Sequence, residues 1–216
     1  MKELLLDHLI YLFTSSSDRG RPQLAKPSGE NDIVYATDAQ VMIAAPKKYF
    51  KEAYETNPQF PDCERLLPKI ENPLFSLNAD DLVKLYKEMP LQDIYALCDA
   101  CEGEGKHKCT CGHKHDCGEC NGSGKSQHVS HKGINPDAYW KIEGGLFSPE
   151  RVMKIVRVVK ELGEEKLYVM EVGNTMFIKI ADVRCKICAW IDLDDEEKNK
   201  VVTDLAPYKL DQKKKS

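Results

Sequence analysis

At 216 residues, 42% hydrophobic and 31% charged, the chain has the makeup of a folded protein and is long enough for one large domain or two small ones. A net charge of −4 excludes a global attraction for nucleic acid, so any such contact needs a local basic face. No run approaches the apolar length of a membrane span. Asp7 and His8 break the leucine-rich start and no small-residue cleavage site follows, so neither a membrane partner nor an export signal is expected.

In chain order, Leu5, Leu9, Leu12 and Phe13 recur at helical spacing and predict a helix over 2–13, ending in the serine-rich loop 15–20. Two strands follow, 33–38 and 40–46, joined near Asp38, and a short helix is expected over 47–55. Four prolines between 57 and 75 predict an irregular connection. A helix capped by Asn78, with Asp80 and Asp81 in its first turn, runs to Pro90. After a cysteine-rich stretch, the polar residues 125–136 read as a return linker. Tyr139 to Ile142 suggest a strand. Ser148-Pro149-Glu150 opens the clearest helix, which stops at Gly163. Strands 166–172, 175–181 and 184–191 follow, with Gly173-Asn174 as a hairpin turn. An acidic run at 192–197 and a polar tail complete the chain.

Residues 98–120 hold six of the nine cysteines with almost no apolar side chains, so a metal must organise this stretch. Clustered cysteines without an export signal point to a reducing, cytoplasmic setting in which thiols bind metal. Two copies of C-x-x-C-x-G-x-G, Cys98 to Gly105 and Cys117 to Gly124, bracket the stretch. Each pair can set two sulfurs on one edge of a tetrahedron, which marks Cys98, Cys101, Cys117 and Cys120 as ligands of one zinc ion. The glycines allow sharp turns that aim backbone N–H groups at sulfur. A reactive thiol pair at Cys98 and Cys101 is the alternative reading. Cys109 and Cys111, with His107, His113 or His115, read either as a second zinc site or as free surface groups. Cys185 and Cys188 sit three apart on a strand, face opposite sides, and read as structural rather than as a metal half-site.

The helix over 149–162 turns Val152, Ile155, Val156, Val159 and Leu162 to one side and Arg151, Lys154, Arg157 and Lys160 to the other. An ordinary solvated helix face accounts for these cations. No phosphate-binding glycine loop, H-E-x-x-H or nucleophile elbow occurs, so no catalytic residue is assigned and the protein is expected not to be an enzyme.

The two halves of the chain also echo each other. Ile33-Val-Tyr-Ala36-Thr-Asp38 before Val41-Met-Ile runs parallel to Phe177-Ile-Lys-Ile-Ala181-Asp182 before Cys185-Lys-Ile, as in an internally duplicated domain. With Ala36-Thr37-Asp38 at the end of a strand, the following strand 40–45 and the helix-plus-three-strand unit 148–191, the body resembles one domain of the DNA sliding-clamp family. The clamp phrase continues Gly-His-Arg-Leu, where this chain has Ala39-Gln40-Val41-Met42. The repeats around the cysteines resemble the zinc domain of the DnaJ co-chaperones, which carries four such repeats. Only two are intact here, and no His-Pro-Asp tripeptide is present.

The resemblances imply an α+β, internally duplicated, clamp-like domain with antiparallel sheets and helices, plus a small zinc-binding insertion. The expected boundaries are 1–95 and 127–206 for the two parts of the clamp-like domain, 96–126 for the insert and 207–216 for the tail. They further imply a non-enzymatic zinc protein that binds DNA or a replication or repair protein and forms a homo-oligomer, with Arg151, Lys154, Arg157 and Lys160 meeting phosphates. The alternative is a protein-binding adaptor with a chaperone-like zinc module and no nucleic-acid role.

Overall fold

The computed structural model describes residues 6–15, 21–67, 71–109, 111–135, 138–189 and 201–210. Most of the loop expected at 15–20, the acidic run 192–197 and most of the tail lie outside these residues. In chain order the elements are α1 (Asp7–Ile10), β1 (Ser28–Glu30), β2 (Ile33–Thr37), β3 (Val41–Pro46), α2 (Cys63–Leu66), β4 (Phe75–Asn78), α3 (Ala79–Glu88), β5 (Leu91–Leu97), β6 (Lys106–Lys108), β7 (Lys114–Asp116), β8 (Lys125–Ile134), β9 (Ala138–Ile142), β10 (Gly145–Phe147), α4 (Pro149–Glu161), β11 (Lys166–Val172), β12 (Thr175–Ile180), β13 (Val183–Cys188), β14 (Val201–Asp204) and β15 (Lys209–Leu210). The chain forms two compact units, one built from 1–88 with 137–216 and the other spanning Met89–Pro136.

In the first unit an eight-stranded sheet runs in the order β1-β2-β3-β13-β12-β11-β4-β15. Its first six strands are palindromic. Two three-stranded meanders, β1-β2-β3 and β11-β12-β13, meet through their third strands, with Cys185 opposite Ile43 and Ile187 opposite Val41. The echo seen in the sequence therefore corresponds to two meanders set edge to edge. β2 and β3 are buried along nearly their whole length, the pattern of strands covered on both faces. On one face Tyr35, Met42 and Ala44 pack with Cys63 and Leu67, so Cys63 is a core residue, and burial pushes its thiol up to about 12. The second sheet, β10-β9-β14, departs from an all-antiparallel expectation, because β14 pairs parallel to β9.

α4 contributes Val152, Ile155, Val156, Val158 and Val159 to the core, with Pro149 at its first turn. Ser148 holds the N-cap position without a side-chain cap bond, so the fixed φ of Pro149 suits the helix start instead. Val158 falls outside the apolar face read from the sequence. It is nonetheless fully buried, on a helix that packs against α3 as well as against strands. α3 is capped as expected, with Asn78 Oδ1 accepting from the N–H groups of Asp80 at 2.8 Å and Asp81 at 3.3 Å. No extended helix forms over 47–55. Only Lys47–Tyr49 makes a 3-10 turn, and the backbone N–H groups of Lys51 and Glu52 donate to the Asp7 carboxylate. Among the described residues no helix is long and apolar enough to cross a membrane.

The second unit pairs β5 with β8 as an antiparallel stem and β6 with β7 as a short hairpin. The residues expected as a return linker are thus a ten-residue strand.

Candidate metal centre

The stem carries the two C-x-x-C-x-G-x-G repeats, and the backbone folds both the same way. In the first, Gly103 N–H donates to Cys98 O at 3.1 Å and Glu104 N–H to Cys101 O at 2.9 Å. In the second, Gly122 N–H donates to Cys117 O at 3.1 Å and Ser123 N–H to Cys120 O at 3.0 Å. Positive φ recurs at Glu102, Gly103 and Gly105 and at Asn121, Gly122 and Gly124. The repeats then lock reciprocally: Cys98 N–H donates to Gly124 O at 2.9 Å and Cys117 N–H to Gly105 O at 2.8 Å. Glycine is required where they cross. A Cβ on Gly105 would lie 2.3 Å from Gly122 O, and one on Gly124 would lie 2.3 Å from Gly103 O.

This frame gathers four sulfurs from the two repeats into one buried cluster of Cys98, Cys101, Cys117 and Cys120. Cys98 Sγ lies 3.9 Å from Cys117 Sγ, and Cys101 Sγ lies 3.7 Å from Cys120 Sγ. All four sulfurs lie within 4.8 Å of one another. Thiolates at about 2.3 Å from a tetrahedral zinc ion stand about 3.8 Å apart, so the spacing fits such an ion. Gly105 N–H donates to Cys101 Sγ and Gly124 N–H to Cys120 Sγ, each at 3.2 Å. Both bonds stabilise thiolate charge. Burial raises the Cys98 thiol. Burial also acts to raise Cys120, but the Gly124 N–H and the neighbouring thiols outweigh it and lower this group. An ion held by all four buried sulfurs would keep no open coordination position, the donor set of a structural rather than a catalytic zinc site.

The structure thus brings together Cys98, Cys101, Cys117 and Cys120. Cys109 and Cys111, joined to each other, stand apart from them at the end of the β6–β7 hairpin. On β13, Cys185 is buried and Cys188 lies on the opposite face, as strand alternation requires.

The four cations of α4 occupy the first unit. Lys154 Nζ pairs with Asp38 at 3.0 Å and Lys160 Nζ with Asp80 at 2.6 Å. Arg151 Nη2 donates to Gln40 Oε1, and Arg157 is exposed. Sequence reading missed a concavity of about 340 Å³ in the same unit, lined by Leu24, Met42 and Leu66 with Arg21 and Lys186 at its polar side. Its walls come from four separate stretches, so no local pattern signals it.

No protein-family profile matches the chain, and no curated protein matches it. Among solved structures, the DNA polymerase sliding clamp from Bacillus subtilis is similar over 86% of this chain, at 12% identity and a TM-score of 0.41. The beta subunit from DNA polymerase of Streptococcus pyogenes is similar over 84% of it, at 10% identity and a TM-score of 0.43. The aligned chain spans 63% and 61% of those proteins.

Proposed function

We propose that this is a non-enzymatic zinc protein in which the closed four-cysteine centre holds a small module as a recognition surface, and that its partner is DNA or a replication or repair protein. The observation that carries the zinc reading is the buried sulfur cluster, whose 3.7 and 3.9 Å edges suit a zinc thiolate tetrahedron. The partner class rests on the resemblance of the body sequence to a sliding-clamp domain. In that reading Arg151, Lys154, Arg157 and Lys160 meet phosphates, and the setting is the cytoplasm.

A second reading, a protein-binding adaptor without a nucleic-acid role, draws support from the charges on α4. Lys154 and Lys160 already neutralise Asp38 and Asp80, so their attraction for phosphate is offset within the protein. The apolar concavity beside the β2–β3 turn is suited to a side chain of a partner peptide.

Two measurements test these readings. Elemental analysis of the purified chain should find stoichiometric zinc that is lost in a Cys98→Ser/Cys101→Ser variant; a zinc-free folded protein rejects the proposal and returns these thiols to redox chemistry. Duplex DNA titration at several salt concentrations then separates the partner classes. Binding that weakens with salt and drops in Arg151→Ala/Lys154→Ala/Arg157→Ala favours DNA. No binding at low salt favours the adaptor.

A further inference from the structure

We propose that the tip of the β6–β7 hairpin is a second metal site, open and redox-gated, in which Cys109, Cys111 and His113 take a thiophilic ion of the zinc type. It is separate from the closed centre and does not depend on it. The sulfurs of Cys109 and Cys111 and a ring nitrogen of His113 lie within 4.8 Å of one another. Cys111 Sγ stands 3.3 Å from His113 Nδ1. The hairpin delivers these groups. Cys109 N–H donates to His113 O at 3.0 Å and Gly112 N–H to Cys109 O at 2.9 Å, which closes the turn and folds Cys111 back over it.

The ladder supplies further donors. His107 pairs with His115 across the hairpin and Lys108 with Lys114 at its last rung, beyond which Cys109 N–H bonds His113 O. As a cross-strand pair, His107 and His115 share one face of the ladder, each two residues from Cys109 or His113. Two sulfurs and an imidazole are a donor set for soft or borderline ions rather than for magnesium or calcium. Cys111 and His113 are exposed, so an ion held there keeps an open position for His107, His115, water or a partner's ligand. The closed centre offers none.

In this structure Cys109 and Cys111 are bonded to each other, and disulfide sulfurs are not thiolate ligands. Reduction opens the site. A water-soluble phosphine breaks the S–S bond and, with one water, yields two thiols and the phosphine oxide; the phosphorus supplies both electrons. The ion then displaces the two thiol protons to solvent. Hydrogen peroxide reverses the step, since two thiols and one peroxide give the disulfide and two waters, and the ion leaves.

The test uses the full chain, loaded with zinc under phosphine, freed of excess metal and assayed by elemental analysis and by transfer to a chromogenic chelator. About two equivalents are expected, one transferred fast and one retained. A Cys109→Ser/Cys111→Ser variant should lose only the fast equivalent, and the retained one reports that the module is still folded. His113→Ala should weaken the fast site about tenfold or more, and peroxide should eliminate it. Reduced protein that holds only the retained equivalent overturns the proposal. So does a fast equivalent that survives in the double serine variant.

Discussion

The two units of this chain are held together by different physics. In the first, Phe13, Trp140, Phe147, Leu167 and Met176 are sealed from solvent, and the fold rests on burial that scales with area. In the second, the buried cluster consists of four cysteines, while Leu91, Tyr95 and Leu97 of its stem stay exposed. A segment this short cannot build a sufficient apolar core, so in the zinc reading order there depends on the ion held by the four cysteines. The lesson is that a chain can carry a region whose folding is conditional beside one whose folding is not.

That contrast is strongest under metal removal. Structural zinc is worth on the order of 10–16 kcal/mol in finger peptides, so a strong chelator should abolish amide protection across 98–124 while leaving the exchange of α4 and β11–β13 unchanged. One cooperative loss of both units would erase the distinction. The converse change is Phe147→Ala, which empties a fully buried site and should cost the first unit about 3–5 kcal/mol. Denaturant melts would read the loss, with zinc content unaltered.

Acid should order the two losses. Thiolates reprotonate and release metal first. The first unit responds later, through groups such as Asp7. Burial raises that carboxyl, but the N–H groups of Lys51 and Glu52 and the Tyr54 hydroxyl outweigh it and hold it below the usual value. A depressed carboxylate contributes stability above its unfolded pKa and loses it as pH falls through the folded one. Solvent screening keeps this to about 0.5 kcal/mol. Melts of wild type and Asp7→Asn between neutral and acid pH should converge at the acid end; a constant gap would reject the assignment. An equally small effect is expected at Ala181, whose φ of 50° is costly for alanine. Ala181→Gly should raise stability by about 0.5 kcal/mol, read as a small rise in melting temperature.

Much of this contrast is legible in the sequence, for reasons that differ by region. The four-cysteine cluster stands out because the paired C-x-x-C spacing and the glycines of the turns are written in the sequence itself. Strands β11 to β13 announce themselves because β12 and β13 carry alternating burial and Gly173-Asn174 turns the chain. The stem is silent: β8 is Lys-Ser-Gln-His-Val-Ser-His-Lys-Gly-Ile, half-buried or exposed at every position. A two-stranded ribbon solvated on both faces has no apolar period to read. β1 and β4, of three and four residues, are too short for a periodic signal. The expected helix over 47–55 yields to a long-range competitor, the Asp7 carboxylate, which no local window contains.

The reciprocal lock between Cys98 N–H and Gly124 O and between Cys117 N–H and Gly105 O makes each repeat the docking surface of the other. This is an isologous contact, the geometry of a two-fold dimer, written into a single chain. One repeat alone exposes two sulfurs and an unsatisfied edge that only a second copy of itself completes. A peptide carrying a single C-x-x-C-x-G-x-G should accordingly take up zinc as a pair of peptides around one ion, and the stem's role is to make that pairing intramolecular.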